Sequence, residues 1–214
     1  MDVLWIGLAA ASFALLLGAT LLLGYAHTRV VRLADVVRRT SLERTPRISI
    51  VAPALNEERD IEAAVRSLAQ QDYPDYEIVM VDDRSTDATP RILARLAHEI
   101  PRLKVVTVRE LPPGWLGKNH ANMLGARAAT GEVLVFTDAD VMMAPSALDR
   151  AVAHLERHGL DHLTASPETV MPGLVNQFTL YFGLLFSLYA RPWRARNPRS
   201  RAHVGIGAFN MVRA

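Results

Sequence analysis

The sequence predicts an α/β protein: a mostly parallel, Rossmann-like sheet flanked by helices and preceded by one N-terminal transmembrane helix. Three observations carry this. From Arg47 onward, short apolar runs alternate with segments of helical period, the pattern of βαβ units. Three of those runs end in polar or acidic clusters, Asn56-Glu57, Asp82-Asp83 and Asp138/Asp140, and parallel strands carry such ends to one rim. Residues 3–26 contain no charged side chain, and about 20 apolar residues suffice to cross a bilayer.

The N-terminal run reads as an anchor, not a cleavable leader. Only Asp2 precedes it and arginines follow it, whereas a leader carries positive charge first and a small-residue cleavage site last. The positive-inside rule then puts its C-terminal side in the cytoplasm, so an inner or plasma membrane is the expected location. Residues 27–46 read as a basic juxtamembrane linker, with Arg29, Arg32, Arg38, Arg39 and Arg44 placed to meet anionic headgroups. The rest divides into a half of residues 47–169 and a partial membrane-interface region of residues 170–214.

Residues 48–51 form the first strand and 53–56 its exit loop. Asn56 is expected to cap the next helix, with Glu57 and Glu58 in the first turn. Ile61, Ala64, Val65 and Leu68 give that helix one apolar face. Residues 76–81 form a second strand running into Asp82-Asp83-Arg84-Ser85. Thr89 before Pro90 marks a helix start, with Ile92, Leu93 and Leu96 facing inward. Residues 104–108 form a third strand. Two prolines and two glycines make 111–117 a loop. The helix over 118–129 has a small-residue face, Ala121, Gly125 and Ala128, suited to close approach to the sheet. A strand then ends at Asp138 and Asp140. A helix from Pro145 to about His158, a strand over 163–166 and another over 205–212 complete the series. Residues 170–190 lack charge, but their apolar part, 178–190, is short for a span. It suits an interfacial helix beside the arginines of 191–201 and a core helix closing the sheet equally well.

The chain has 214 residues, half of them hydrophobic, with a formal net charge of +2. That is enough for one sizeable core and implies no field for nucleic acid. There is no cysteine, which removes disulfides, thiolate zinc sites and cysteine nucleophiles. His154, His158 and His162 recur every fourth residue, but Gly159 is expected to end the helix between them. They therefore read as a solvated helix end.

The chemistry concentrates at Asp138 and Asp140. Two like charges this close are costly unless a cation or hydrogen-bond donors neutralise them. A divalent cation shared with a phosphate-bearing substrate does so, because Mg²⁺ needs only one or two carboxylates when phosphate and water supply its other ligands. Lys118 opens a helix, where a cation is disfavoured, and so points to an anion partner. Together the three clusters and Lys118 point to a site for a sugar nucleotide and a metal. Departure of a nucleoside diphosphate develops charge that a hard cation stabilises. Attack by an acceptor hydroxyl on the anomeric carbon inverts configuration and needs a general base in reach.

Four stretches, Val51-Ala-Pro-Ala-Leu-Asn-Glu57, Ile78-Val-Met-Val-Asp-Asp-Arg-Ser-Thr-Asp87, Gly117-Lys-Asn-His-Ala-Asn122 and residues 130–140, resemble glycosyltransferase family 2 in type, order and spacing. The resemblance covers residues 47 to about 212 and implies the GT-A fold. It implies that Pro53, Asn56 and Glu57 lie in the loop under the nucleotide. Asp82 and Asp83 would hold base and ribose, and Lys118 and Asn122 would lie near the nucleotide or diphosphate. Asp138 would contact the sugar nucleotide and, with Asp140, hold Mg²⁺ or Mn²⁺. The implied activity is inverting transfer of a sugar from a UDP- or GDP-linked donor to a lipid or polyprenyl-type acceptor. The Gly-Trp-Leu-Gly-Lys stretch at 114–118 and the anchor resemble the membrane-bound branch that glycosylates lipids, such as hopanoid-associated and carotenoid glycosyltransferases. The family's acidic general base is expected beyond Ala214, and the Gln-x-x-Arg-Trp stretch of processive members is absent from the sequence. A membrane-tethered nucleotide-sugar binder without catalysis is the competing reading.

Overall fold

The computed structural model describes residues 2–39, 44–167 and 204–214, with single positions at 173, 183, 189, 194, 195, 197 and 200. The segment 170–190 and Arg191, Arg196, Arg199 and Arg201, apart from those positions, lie outside the described residues. The chain divides into two compact units, Met1–Arg32 with Glu168–Val204, and Leu33–Pro167 with Gly205–Ala214.

In the first unit, α1 (Asp2–Arg29) is one continuous helix. Its stretch Trp5–Leu22 has a mean hydropathy of 2.0 and none of it is buried. Phe13, Leu15, Leu16 and Leu17 cover successive directions around the axis and are all exposed. A helix apolar all round belongs inside a core or a bilayer, and among the described residues no core surrounds this one.

The second unit is the α/β body. Its elements are β1 (Ile48–Ala54), α2 (Ile61–Ala69), β2 (Tyr76–Asp83), α3 (Thr89–Glu99), β3 (Leu103–Val108), α4 (Gly117–Ala128), β4 (Val133–Phe136), α5 (Ala147–Arg157), β5 (His162–Thr164) and β6 (Asn210–Arg213). Among the described residues the strands form one sheet in the order β3-β2-β1-β4-β6-β5. The first four are parallel, whereas β6 pairs antiparallel with both β4 and β5. The predicted mostly parallel sheet is therefore present, with an antiparallel edge.

Alternation along the strands splits the core into two layers. Ile48, Ile50 and Ala52 of β1 pack with Ile61, Val65 and Leu68 of α2, Leu93 and Leu96 of α3, and Leu148, Val152 and Leu155 of α5. Val51 of β1 and Val79 and Val81 of β2 face the other way, onto Ala121 of α4. The small-residue face lets α4 lie close, for a Cβ on Gly125 would come within 2.4 Å of Val51 Cγ1.

Three local expectations are corrected. Asn56 does not cap α2: the residue before that helix is Asp60, and Asn56 stands outside with φ +58°. Helix α5 begins at Ala147, after a turn from Ala144. The segment expected as a basic juxtamembrane linker is packed on α5 from Leu33 to Arg39. There Val36 is buried, Arg150 and Arg157 donate to the carbonyls of Ala34, Val37 and Arg38, and Asp149 accepts from Arg39 Nε at 2.9 Å and Arg38 Nε at 3.1 Å. Arg38 and Arg39 thus both meet the Asp149 carboxylate.

Candidate active site

Strand β1 lies between β2 and β4, so the chain leaves neighbouring strand ends in opposite directions. A crevice opens at such a switch point. The Thr137 N–H donates to Val51 O at 3.0 Å and extends the β1–β4 pairing. Asp138 and Asp140 therefore leave the sheet beside Pro53 and Ala54. On the other flank Ala54 pairs with Asp82, which brings Asp83 to the same edge.

The cavity there has a volume of about 250 Å³ and is lined by Pro53, Ala54, Leu55, Glu57, Asp83, Lys118, Asp138, Ala139 and Asp140. It brings together six of the residues picked from sequence: Pro53, Glu57, Asp83, Lys118, Asp138 and Asp140. Asn56, Asp82 and Asn122 are not in its lining. Asp82 turns inward, where its carboxylate accepts from the Ser85 N–H at 3.2 Å. Asn122 keeps a buried Oδ1 without a hydrogen-bond partner.

The β1 and β2 exit loops hold each other by reciprocal hydrogen bonds. Ser85 Oγ accepts from the Asn56 N–H at 3.1 Å, and Asn56 Oδ1 accepts from the Thr86 N–H at 2.8 Å. Thr89 Oγ1 accepts from the Glu57 N–H at 2.9 Å. Glu58 accepts from the Ala88 N–H at 2.9 Å, while Asp87 accepts from the Glu58 N–H at 3.1 Å. These bonds, not a helix cap, fix Glu57 over the cavity. Burial first, then the charges of Asp140, Asp60, Asp87 and Asp138, raises the Glu57 carboxyl above its ordinary 4.5.

Asp83 is 3% exposed, and Arg84 grips it with two hydrogen bonds, Nε to Oδ1 at 2.8 Å and a terminal nitrogen to Oδ2 at 3.1 Å. Arg84 holds the left-handed conformation, φ +62°, which costs a side-chain-bearing residue about 1 kcal/mol or more. The N-terminus of α4 comes close here, because a Cβ on Gly117 would stand 2.8 Å from Asp83 Oδ2. The anion that answers Lys118 is Asp138, with which it forms an ion pair. Gly207 covers that pair, since a Cβ there would be 3.2 Å from Asp138 Oδ2 and 3.3 Å from Lys118 Nζ. Sequence reading missed Arg84, Gly117 and Gly207 as site elements. Gly117 and Arg84 adjoin motif residues and were findable, but nothing local marks Gly207.

His120 is buried at 7% exposure, and its Nδ1 has no hydrogen-bond partner among the described residues. Trp115 rests on it edge to face, ring centroids 5.4 Å apart. The histidines of the 154–162 series do not converge. His154 and His158 stack at 4.2 Å, whereas His162 bonds to Asn210.

Comparison with known proteins agrees with this geometry. The family model for glycosyl transferase family 2 matches residues 49–213. The 4,4'-diaponeurosporenoate glycosyltransferase of Staphylococcus haemolyticus is 28% identical over 172 residues, 76% of this chain and 45% of that protein. The beta-monoglucosyldiacylglycerol synthase of Nostoc sp. is 37% identical over 114 residues, 52% of this chain and 24% of that protein. Among solved structures, the mannosyltransferase PcManGT from Pyrobaculum calidifontis, in complex with GDP-Man and Mn²⁺, aligns with a TM-score of 0.65 at 27% identity. That alignment covers 96% of this chain and 55% of that one. TarS 1-349 of S. aureus aligns with a TM-score of 0.50 at 28% identity over 59% of this chain and 38% of that one. The chain thus spans about half the length, or less, of the relatives it matches. The strand order, the acidic rim and a match over residues 49–213 lead to one assignment: the chain belongs to glycosyltransferase family 2 and has the GT-A fold.

Proposed function

We propose that this cavity binds a UDP- or GDP-linked sugar and passes the sugar, with inversion, to a lipid or polyprenyl-type hydroxyl at the cytoplasmic face of a membrane. Residues 1–26 serve as the anchor, 47–169 as the donor-binding half and 170–214 as part of the acceptor and membrane interface. The observation that carries the reading is the convergence of Glu57, Asp83, Asp138 and Asp140 with Lys118 around one cavity. The GDP-Man and Mn²⁺ of the structural neighbour support it, as do the carotenoid- and diacylglycerol-directed names of the relatives.

The donor set fits Mg²⁺ or Mn²⁺. It offers hard carboxylate oxygens, and Glu57, Asp83, Asp138 and Asp140 line the same cavity. Among the described residues no trio of candidate ligands is gathered tightly enough to hold an ion unaided, so Asp140 and Asp138 would hold the cation only together with oxygens of a bound diphosphate. Asp140 is the principal ligand, because Asp138 already shares its charge with Lys118. Bound there, the cation would neutralise charge on the departing diphosphate. Lys118 moves from Asp138 toward that same charge. Asp83, held rigid by Arg84, orients the nucleoside. Asn56 and Asp82 keep the two exit loops in place and act through Glu57 and Asp83.

Calorimetry with the full chain in detergent tests this. GDP-mannose and UDP-glucose are titrated with Mn²⁺ present and absent. Asp140→Asn is expected to weaken the Mn²⁺-dependent binding by at least about tenfold, the scale seen even for outer-shell partners of a metal. Radiolabelled donor with membrane lipid extract is expected to leave label in lipid. Binding equal in Asp140→Asn and unaffected by chelator would remove the metal from the site.

A further inference from the structure

Exposed apolar side chains mean little when scattered. In the α/β unit the exposed large apolar residues, among those described, are Val37, Leu55, Trp115, Leu116 and Met142. All but Val37 either line one cavity or stand within three residues of a side chain that does. Leu55 lines it, Trp115 and Leu116 lie just before the lining Lys118, and Met142 just after the lining Asp140. Trp115 is 43% and Leu116 72% exposed. The loop that carries them, residues 111–116, has no charged side chain. Trp115 is not folded away, because the buried His120 ring supports it edge to face at 5.4 Å.

The charges and the apolar groups divide the site. Glu57, Asp83, Lys118, Asp138 and Asp140 meet the cavity itself and suit a charged donor. None of Leu55, Trp115, Leu116 and Met142 carries a charge, and covering them removes hydrocarbon from water, which is favourable in proportion to the area covered. We infer that Leu55, Trp115, Leu116 and Met142 form a hydrocarbon-binding rim that holds the chain of the acceptor lipid while its hydroxyl reaches over the cavity. This rests on the cavity being the sugar-transfer site proposed above, and it assigns recognition of the acceptor chain to four named side chains.

The test uses the full chain carrying Trp5→Phe and Trp193→Phe, so that Trp115 is the sole tryptophan of the original three. The protein is placed in phosphatidylcholine vesicles, and Trp115 emission is followed as diacylglycerol with brominated acyl chains is added at a few mole per cent. Emission is expected to fall, while the same mole fraction of brominated phosphatidylcholine leaves it unchanged. Leu116→Asn, which keeps Trp115, is expected to weaken the diacylglycerol effect about tenfold, equivalent to about 1.4 kcal/mol. Equal quenching by both lipids would mean simple immersion in the bilayer and overturn the inference, as would quenching by neither. Donor binding is measured by calorimetry on the same protein. Donor binding without selective quenching sinks only the rim, whereas absent donor binding fells the cavity reading itself.

Discussion

Gly125→Ala tests how α4 lies on the sheet, because two effects of opposite sign compete. In an exposed helix the change stabilises by about 1 kcal/mol. Here the new Cβ would stand 2.4 Å from Val51 Cγ1 and 2.9 Å from Val81 Cγ2, whereas carbon atoms in contact prefer about 3.5–4.0 Å. Val51 and Val81 are fully buried, and a β-branched side chain has little freedom to turn aside. The helix must lift by roughly 1 Å, and overpacking of this kind costs about 1–3 kcal/mol. With two blocked neighbours the upper end applies, which leaves a net destabilisation of about 2 kcal/mol after the propensity gain. The assay is the urea midpoint in detergent micelles at unchanged slope. Adding Val51→Ala opens the space again, so the pair should show a coupling of about 1 kcal/mol or more. Lifting α4 also carries Lys118 away from Asp138, so donor binding should weaken with stability. A midpoint that rises in Gly125→Ala would refute the close approach.

The remaining predictions concern polar groups. Glu77 accepts from Ser49 Oγ at 2.6 Å and from the Thr130 N–H and Oγ1 at 2.6 and 2.7 Å, tying β1, β2 and the entry to β4 together. Glu77→Ala strands those donors and should cost about 2 kcal/mol by denaturant titration. Asp149→Asn leaves Arg39, whose side chain is 9% exposed, without its counter-charge. The expected loss is about 3 kcal/mol, with faster proteolytic cutting near Arg38 and Arg39. Hydrogen bonds from Arg95 and then Arg66 hold the Glu62 carboxyl below its ordinary 4.5, and those from Arg66 and then Arg95 do the same for Glu99. Their folded values lie below the unfolded one, so their contribution is complete above pH 4.5 and is lost as pH falls through the folded values. Thermal midpoints should show an acid decline that Glu62→Gln with Glu99→Gln makes shallower.

Much of the site was legible because its signals are local. Asp83, Asp138 and Asp140 end apolar runs, and the end of a parallel strand has one place to go. Lys118 stood out as a cation where a helix disfavours one. That Asn56 and Asp82 stand outside the cavity lining was hidden for the opposite reason. Their roles depend on Thr86 across two loops and on a turn at Ser85, and side-chain direction is not encoded in the spacing of charges. Gly207 reaches Lys118 and Asp138 only through the antiparallel return of β6. The basic run before β1 looked like a linker because its partner, Asp149, is far along the chain.

Periodicity and strand-end chemistry therefore determined, from the chain alone, the α/β class, the apolar N-terminal segment and the acidic rim, and the resemblance of four motif stretches pointed to the family. Those follow from repeat spacing and residue type over a few neighbours, where every contact partner is close in sequence. Only the tertiary structure decided which carboxylates share a cavity, that Lys118 is answered by Asp138, and that Leu55, Trp115, Leu116 and Met142 stay exposed among the described residues of the α/β unit. Strand register and helix packing set those distances, and both depend on groups that meet only after the chain has folded.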